Sequence, residues 1–237
     1  MEGKRLKIAV LSGAGISAES GIQTFRDSDG LWENYRVEDV CTPEALERNP
    51  ELVIGFYNQR LAQVLKAQPN SAHRALVRLE EKYEVDIITQ NIDDLHERAG
   101  STRVLHLHGD IRKKRSQADP LDIRDIEPLA QGIRMGDLDR FGMQYRPHIV
   151  FFGEAVPNIE PASRLVEAAD IVVIIGTSLQ VYPAAGLMYY AAPDAPIYYI
   201  DPKADEAKGL DKRVVCIAEK AGKGVPEWVD RMLDSAR

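Results

Sequence analysis

The sequence predicts an α/β fold in which helices cover both faces of a doubly wound parallel sheet. Short apolar runs rich in β-forming residues recur along the chain, and helical patterns alternate with them. Several of the runs are apolar on both faces, as a parallel sheet buried between helices requires. The chain has 237 residues, of which 44% are hydrophobic, and can therefore bury a sizeable core in one large domain.

The predicted strands begin with Leu6–Leu11, which runs directly into a glycine-rich turn. Six further runs have the length and composition of strands. They are Val85–Thr89, Val104–Leu107, His148–Phe152, Ile171–Gly176, Ile197–Ile200 and Val214–Ala218. The segments between them suit helices, and several begin with Pro or with a capping Ser or Asp. They are Pro43–Arg48, Glu51–Ala67, Ser71–Lys82, Asp94–Ala99, Pro161–Ala169, Pro183–Ala191 and Pro226–Ser235.

Two stretches interrupt the alternation of strands and helices. Gly21–Asn70 contains a loop and two helices with no predicted strand, and Arg112–Arg146 is polar and irregular. We predict a single domain over 1–237, with a core built from approximately 1–35, 71–111 and 147–237. The inserts at approximately 36–70 and 112–146 would form a small module, and a cleft between module and sheet is a common place for a ligand.

The bulk composition argues against some classes of function. The formal net charge is −7 and the sequence pI is about 5.3, whereas binding of nucleic acid without sequence preference needs a basic face. No apolar run approaches the roughly 20 residues that cross a bilayer, and Met1–Arg5 does not resemble the start of a signal peptide. Cys41 and Cys216 have no CxxC partners, which indicates reduced thiols. We expect a cytoplasmic protein with neither nucleic-acid nor membrane partners.

A candidate phosphate-binding loop follows the first predicted strand. Gly13, Gly15 and Ala18 fit the spacing G-x-G-x-x-G/A, in which the glycines let a pyrophosphate approach the backbone and the following helix offers N–H groups. A tight structural turn is the alternative. The acidic residue that ordinary dinucleotide-binding units carry about 20 residues further on is missing here. Asp201, after a later strand, is a candidate to bond ribose hydroxyls instead, unless it only shapes a turn.

Several motifs extend this pattern over nearly the whole chain. In chain order they are Gly13–Gly21, Thr24–Arg26, Thr89–His96, Leu107–Gly109, Phe152–Glu154, Gly176–Leu179 and Val181–Ala185. Together, and in this order, they resemble the signature of the sirtuin family of NAD-dependent protein-lysine deacylases. Each motif alone would be weak, but the ordered set is very specific.

The resemblance implies a Rossmann-like domain and a small module, with NAD and an acylated-lysine peptide meeting between them. Gly13 and Gly15 would hold the pyrophosphate, and Phe25 and Arg26 would cover the nicotinamide ribose. The residues that the resemblance assigns to NAD are Gly13, Ala14, Gly15, Ser17, Ala18, Glu19, Thr24, Phe25, Arg26, Trp32, Gln90, Asn91, Ile92, Asp93, His108, Gly176, Thr177, Ser178, Asp201, Pro202, Lys203 and Ala221. Those assigned to the peptide, which would add as a strand, are Val150, Phe151, Phe152, Gly153, Glu154 and Val181.

The chemistry needs a base that works near neutral pH, and histidine titrates there. His106 and His108 are two residues apart at the end of a predicted strand, so they point to the same side. The resemblance selects His108 as the base, and a structural role is the alternative that we favour for His106. It also assigns Asn91 and Asp93 to catalysis. Both follow a predicted strand, at the end where ligands bind in such sheets, although an Asn or Asp there also caps a helix.

Tyr57 and Arg60 are three residues apart in a predicted helix and therefore share a face. They resemble the Tyr-x-x-Arg pair of sirtuins that remove succinyl and malonyl groups. The physical reason is that Arg binds a carboxylate through two parallel hydrogen bonds, and Tyr adds a third donor. A solvent-facing Arg beside a packed Tyr is the alternative.

The chain departs from the family at the zinc site. Most sirtuins bind structural zinc through four cysteines of the small module, but Arg112–Arg146 contains no Cys and no His. We therefore predict a module without zinc, held together by packing. The candidate packing residues are Leu121, Ile123, Ile126, Leu129, Ile133, Met135, Leu138, Phe141 and Met143.

The favoured hypothesis is an NAD-dependent desuccinylase and demalonylase that also removes acetyl groups. It would transfer the acyl group to ADP-ribose and release nicotinamide. An ADP-ribosyltransferase or NAD glycohydrolase is the main alternative, followed by a non-catalytic binding module and an ordinary dehydrogenase. The oligomeric state stays open.

Overall fold

The structure, a computed structural model, describes residues 5–23, 31–32, 35–207, 209 and 211–235, with the backbone alone at 31, 32, 206 and 207. Within these residues the largest sheet has six strands. They are β1 (Lys7–Ser12), β4 (Glu84–Thr89), β5 (Val104–His106), β9 (Ile171–Ile175), β10 (Ile197–Ile200) and β11 (Val214–Ile217). All of its pairings are parallel, in the order β11-β10-β9-β1-β4-β5. The predicted α/β fold with a doubly wound parallel sheet is confirmed.

Helices cover both faces of this sheet, as the apolar character of β1 requires. The described helices are α1 (Val37–Val40), α2 (Pro43–Arg48), α3 (Pro50–Lys66), α4 (Ser71–Leu79), α5 (Leu95–Ala99), α6 (Ile159–Glu167) and α7 (Ala221–Ser235). Ile8 and Val10 pack on the face covered by α4 and α7. Ala9 and Leu11 pack on the opposite face with α6. Both faces of β1 are therefore buried, which explains its unbroken apolar run.

Two of the predicted helices differ from the structure. The segment predicted as Pro183–Ala191 is a 3₁₀ helix over Ala184–Tyr190, in which Gly186, a poor helix former, lies near the middle. The helix predicted to begin at Pro226 begins at Ala221. The carboxylate of Glu19 accepts a hydrogen bond from the backbone N–H of Gly222 at 2.6 Å, which supports the earlier start at the electropositive end of the helix.

A second, antiparallel sheet lies in the small module. It consists of β6 (Gly109–Arg115), β7 (Ile123–Asp125) and β8 (Arg146–Ile149), in the order β7-β6-β8. A short hairpin pairs β2 (Leu31–Trp32) with β3 (Tyr35–Arg36). The strand predicted as His148–Phe152 is therefore wrong in its bounds and in its sheet, and Gly21–Asn70 does contain strands. The backbone N–H groups of Val150 and Phe152 instead bond to the carbonyls of His108 and Cys41.

The predicted packing of the module is only partly correct. Ile126 and Ile133 are buried, and Leu129 is half-buried against the core around α3. The other six candidates are exposed to solvent, and they are Leu121, Ile123, Met135, Leu138, Phe141 and Met143. Apolar character alone did not identify the core, because folded proteins leave many apolar atoms on the surface.

Hydrogen bonds hold the outer loops of the module instead. One carboxylate oxygen of Asp139, which is buried, accepts the N–H groups of Phe141 and Met143 at 2.9 Å. Its other oxygen accepts the hydroxyl of Ser116. A carboxylate that accepts several donors in this way fixes the surrounding backbone, because each bond would be lost on unfolding.

In the part of the chain that the structure describes, no helix combines the length and the apolar character needed to cross a membrane. The boundaries proposed above for core and module stay a prediction.

Two buried histidines lie beneath the sheet, where α4 meets α5. The rings of His73 and His96 pack edge to face at 4.9 Å between centroids. Asn70 donates its N–H to His73 Nδ1 in a capping box at the start of α4. Burial, together with the charge of Arg74, lowers the pKa of His73 to about 4. Unfolding at acid pH therefore exposes a ring that takes up a proton, and the fold loses stability as the pH falls.

We expect His73→Gln to reduce this loss of stability. The side chain of Gln can accept the same capping bond but does not titrate. Between about pH 6.5 and about 4, the free energy of unfolding of the parent should fall more than that of the variant, by about 1–3 kcal/mol. Urea unfolding across this range measures both slopes. If the free energy of unfolding depends on pH in the same way in parent and variant, His73 is not the source of the acid destabilisation. A difference between the two proteins that is constant with pH reports only the lost ring contact with His96.

Candidate functional site

A cleft of about 600 Å³ opens at the carboxyl ends of β1, β4 and β9, beside the small module. The structure brings most of the predicted site residues together around it. From the NAD set these are Gly13, Ala14, Gly15, Ser17, Ala18, Glu19, Gln90, Asn91, Ile92, Asp93, His108, Gly176, Thr177, Ser178, Asp201, Pro202 and Ala221. From the substrate set they are Tyr57, Arg60, Val150, Phe151, Phe152, Gly153, Glu154 and Val181.

A few predicted residues are not part of this wall. Thr24, Phe25 and Arg26 lie outside the described residues, as does the side chain of Trp32. Lys203 is exposed, and its backbone N–H donates to the carboxylate of Asp201 at 2.9 Å. Asp201 is therefore both a turn-shaping residue and part of the cleft, so the two interpretations of this residue are compatible.

The floor of the cleft is a contact between two backbones. Gly13 donates its N–H to the carbonyl of Ile175 at 3.0 Å, and Gly15 donates to the carbonyl of Gly176 at 2.8 Å. A Cβ atom on Gly15 would lie 2.6 Å from the Cα of Gly176. Because side chains are absent at this junction, the loops after β1 and β9 form a bare backbone cradle of the kind that binds pyrophosphate.

A buried polar network joins this cradle to the loop after β4. Asn91 donates its side-chain amide to the carbonyl of Gly13 at 3.2 Å and to the hydroxyl of Ser17 at 3.1 Å. Ser17 in turn donates to the carboxylate of Asp93 at 3.0 Å. Burial raises the pKa of Asp93, although hydrogen bonds from Leu95 and Ser17 oppose this effect. The network fixes one amide and one carboxyl group at the same point of the wall.

His108 is oriented by its own loop. Its Nδ1 lies 3.0 Å from the carbonyl of Gln90, which can only accept a hydrogen bond. Nδ1 therefore carries the proton, and Nε2 keeps its lone pair. Burial lowers the pKa of His108, with partial opposition from the bond to Gln90. The next residue, Gly109, has φ +89°, and a Cβ there would lie 2.0 Å from the carbonyl oxygen of His148. The arrangement provides a neutral imidazole that can act as a base.

Tyr57 and Arg60 line the cleft from α3. Their side chains are buried, with 3% and 4% of each residue exposed, so the solvent-facing alternative for Arg60 is wrong. Tyr57 donates its hydroxyl to Cys41 Sγ at 3.5 Å and stacks on Phe151 with ring centroids 5.7 Å apart. Burial raises the pKa of the Cys41 thiol to about 11, although the bond from Tyr57 and the charge of Arg60 oppose this. A buried guanidinium beside a phenol and a neutral thiol provides an anion receptor.

Glu154 lines the cleft, but its carboxylate binds groups of the protein itself. It accepts hydrogen bonds from Arg146 at 2.6 Å, from Arg115 at 3.1 Å and from the N–H of Phe151 at 2.7 Å. The guanidinium of Arg146 also lies 3.8 Å from the ring centroid of Phe151. These contacts anchor the 151–154 segment to the module. Whether this segment binds a peptide stays a prediction.

The sequence analysis missed some residues of the wall. Cys41 was interpreted only as a structural thiol, although it contacts Tyr57 within the cleft. Val64 also lines the cleft and could have been found, because it lies four residues after Arg60 on the same helical face. No spacing signal pointed to Cys41, which only the approach of α1 to α3 brings to the site.

The described residues contain no group of three or more His, Cys, Asp or Glu side chains arranged to hold a metal ion. The cradle itself fits a dinucleotide, because Gly13, Gly15 and Gly176 line the cleft with backbone alone, and the absence of Cβ atoms lets the two loops approach each other.

Comparison with known proteins gives one consistent result. The sequence pattern of the Sir2 family matches residues 13–183. An NAD-dependent protein deacylase of Aggregatibacter actinomycetemcomitans is 60% identical over 193 residues, which cover 81% of this chain and 91% of the relative. One from Helicobacter pylori is 51% identical over 97% of this chain and 98% of the relative. A crystal structure of a Sir2 homolog–NAD complex superimposes with a TM-score of 0.85 at 37% identity, covering 99% of this chain and 92% of that one.

We expect Gly15→Ala to open the cradle. The new Cβ must displace the backbone of Gly176, so the free energy of unfolding should fall by about 1–3 kcal/mol. Affinity for ADP-ribose should fall about tenfold or more, because a misplaced cradle loses at least about 1.4 kcal/mol of binding. Chemical unfolding and titration calorimetry measure the two effects.

Gly55→Ala in α3 is the matched control. Nothing lies within 4 Å of a Cβ at this position, so the change should stabilise the helix by about 0.5–1 kcal/mol and leave binding unaltered. If Gly15→Ala behaves in the same way, the close contact does not shape the cradle.

Proposed function

This chain belongs to the Sir2 family and is an NAD-dependent protein deacylase, and we propose that it removes lysine acyl groups that end in a carboxylate, such as succinyl and malonyl. Acylated-lysine proteins or peptides are the proposed substrates, and acetyl-lysine is a further one. The proposal is carried by one observation. Tyr57 and Arg60 are both buried, and they line the same cleft as His108.

The chemistry of the acyl end supports this choice of substrate. A guanidinium in a buried pocket attracts an anion strongly, because little water is present to screen the charges. The carboxylate of a succinyl or malonyl group could accept two parallel bonds from Arg60 and a third from Tyr57. An acetyl group has no such charge, so it would gain little from either residue. We therefore expect these two side chains to act on acyl selectivity.

The residues near the cradle are suited to NAD. When bound, NAD supplies an activated bond between ribose and nicotinamide. Gly13 and Gly15 offer backbone to the pyrophosphate, while Asn91 and Asp93 offer an amide and a carboxyl group to the ribose and nicotinamide end. In this proposal Nε2 of His108 takes a proton from a ribose hydroxyl, which is supported by the bond of its other ring nitrogen to the carbonyl of Gln90.

We expect Arg60→Met to discriminate between acyl groups. The value of kcat/KM for a succinyl-lysine peptide should fall about 10- to 100-fold, because a hydrogen bond to a charged group contributes about 1.5–3 kcal/mol. For the matched acetyl-lysine peptide it should change less than about threefold. Mass spectrometry of peptide, nicotinamide and O-acyl-ADP-ribose follows both reactions.

Lys66→Met is the matched control, because it removes a cation from an exposed position of the same helix. It should leave kcat/KM unchanged for both the succinyl-lysine and the acetyl-lysine peptide. Equal losses on the two acyl groups in Arg60→Met would disprove the carboxylate clamp. Nicotinamide release from the parent with every peptide left intact would instead favour an ADP-ribosyltransferase or glycohydrolase.

We also expect protonation of His108 to cause the fall of kcat/KM at acid pH. Because burial lowers its pKa below the ordinary 6.5, the neutral ring persists at neutral pH. The value of kcat/KM should therefore decline only below pH 6.5, as protonation removes the base. His108→Ala should abolish deacylation while ADP-ribose still binds by calorimetry. Near-parental turnover in this variant would reject the assignment.

A further inference from the structure

His106 lies behind the cleft wall, and the reaction as proposed above does not use it. It ends β5, and its side chain is 15% exposed. Its Nδ1 lies 2.9 Å from the carbonyl oxygen of Asn91, and its Nε2 lies 2.7 Å from a carboxylate oxygen of Glu97. One bond therefore reaches the loop that lines the cleft, and the other reaches α5 behind it.

Both partners of His106 are hydrogen-bond acceptors. A neutral imidazole has a single N–H and could satisfy only one of them, whereas the doubly protonated ring satisfies both. Burial alone would lower the pKa of His106, but the hydrogen bond and charge of Glu97 raise it above its ordinary value. The geometry and the charge therefore agree on a ring that donates from both nitrogens.

The surroundings of the ring are acidic on balance. Glu97 on α5 bonds to His106 directly, and Asp110 on β6 acts on it through its charge. Burial raises the pKa of Asp93, and the charge of His106 is one of the effects that oppose this rise. Burial and the charges of neighbouring histidines keep the pKa of His96 well below its ordinary value. His106 is thus a positive centre among carboxylates, next to a neutral histidine.

We propose that His106 is a positioning residue, which fixes the backbone of Asn91 and thereby the side chains of Asn91 and Asp93 at the nicotinamide end of the cleft. The proposal rests on the proposed function. His108 bonds the carbonyl of Gln90, so the two histidines hold successive carbonyls of one loop. A shift of this backbone would move the amide of Asn91 away from Gly13 and Ser17, to which it donates.

Two substitutions separate this role from general packing. His106→Leu removes both donors, and we expect kcat on the preferred acyl peptide to fall about tenfold or more, the factor that corresponds to an unsatisfied buried carbonyl. His106→Asn places an amide N–H near the position of Nδ1 and should recover most of that loss. The dissociation constant for ADP-ribose should rise by no more than about threefold in both variants, since Gly13 and Gly15 keep their backbone bonds to Ile175 and Gly176.

Glu97→Gln tests which of the two bonds matters. The amide of Gln can donate to Nε2 of a neutral ring, so Nδ1 still donates to Asn91. We therefore expect kcat within about threefold of the parent. Imidazole ¹⁵N spectra should report a doubly protonated His106 in the parent and a lower pKa in Glu97→Gln. If this variant loses as much activity as His106→Leu, the ion pair carries the effect and the positioning role is wrong.

His73→Gln is the control, because it alters a buried histidine that does not bond to the loop. It should leave kcat unchanged. If the parent deacylates and His106→Leu has the same kcat, the positioning role is wrong but the proposed function stands. An equal loss of kcat and ADP-ribose binding in His106→Leu would also overturn it, as general damage. A parent without NAD-dependent deacylation would instead overturn the proposed function.

Discussion

The contact of two bare backbones at the ends of β1 and β9 is the constraint on which the cleft depends. Gly15 and Gly176 approach so closely that a Cβ on Gly15 would lie 2.6 Å from the neighbouring Cα. This approach brings the loops after the central strands into register, and Gly13, Gly15 and Gly176 line the floor with backbone and no side chain. The amide of Asn91 then bonds to the carbonyl of Gly13, so the loop after β4 takes its position from the same junction.

The environment of each ionisable group in and behind the cleft shifts its pKa differently. Burial lowers the pKa of His108, whose Nδ1 bonds to a single carbonyl. Two residues earlier His106 faces two acceptors, and although burial lowers its pKa, the hydrogen bond and charge of Glu97 raise it above its ordinary value. Arg60, which also lines the cleft, is buried near a phenol and a thiol whose pKa burial raises to about 11. The direction of each histidine's pKa shift thus depends on whether its second nitrogen meets a carboxylate.

The sequence predicted the features that depend on local pattern. The parallel strands, the glycine loop and the Tyr57–Arg60 pair all follow from periodicity, spacing or motif order. The sequence did not predict the features that depend on tertiary contacts. The strand β8 (Arg146–Ile149) pairs with β6 in the antiparallel sheet and not in the parallel one. Cys41 joined the site through packing between distant segments, and the second bond of His106 depends on α5. None of these contacts has a signal within a single window of sequence.

The polar network of the small module changes which positions can vary. Six large apolar side chains there lie in water, while Asp139 is buried and is held by Ser116 and by two backbone N–H groups. In most domains the amino-acid sequence changes fastest at polar surface positions and slowest at large apolar positions. In the outer loops of this module we expect the reverse, because Leu138 and Phe141 are exposed whereas two short polar residues hold the loops. Over evolutionary time the module should therefore retain Ser116 and Asp139 together with its buried Ile126 and Ile133, while its exposed hydrophobic residues diverge.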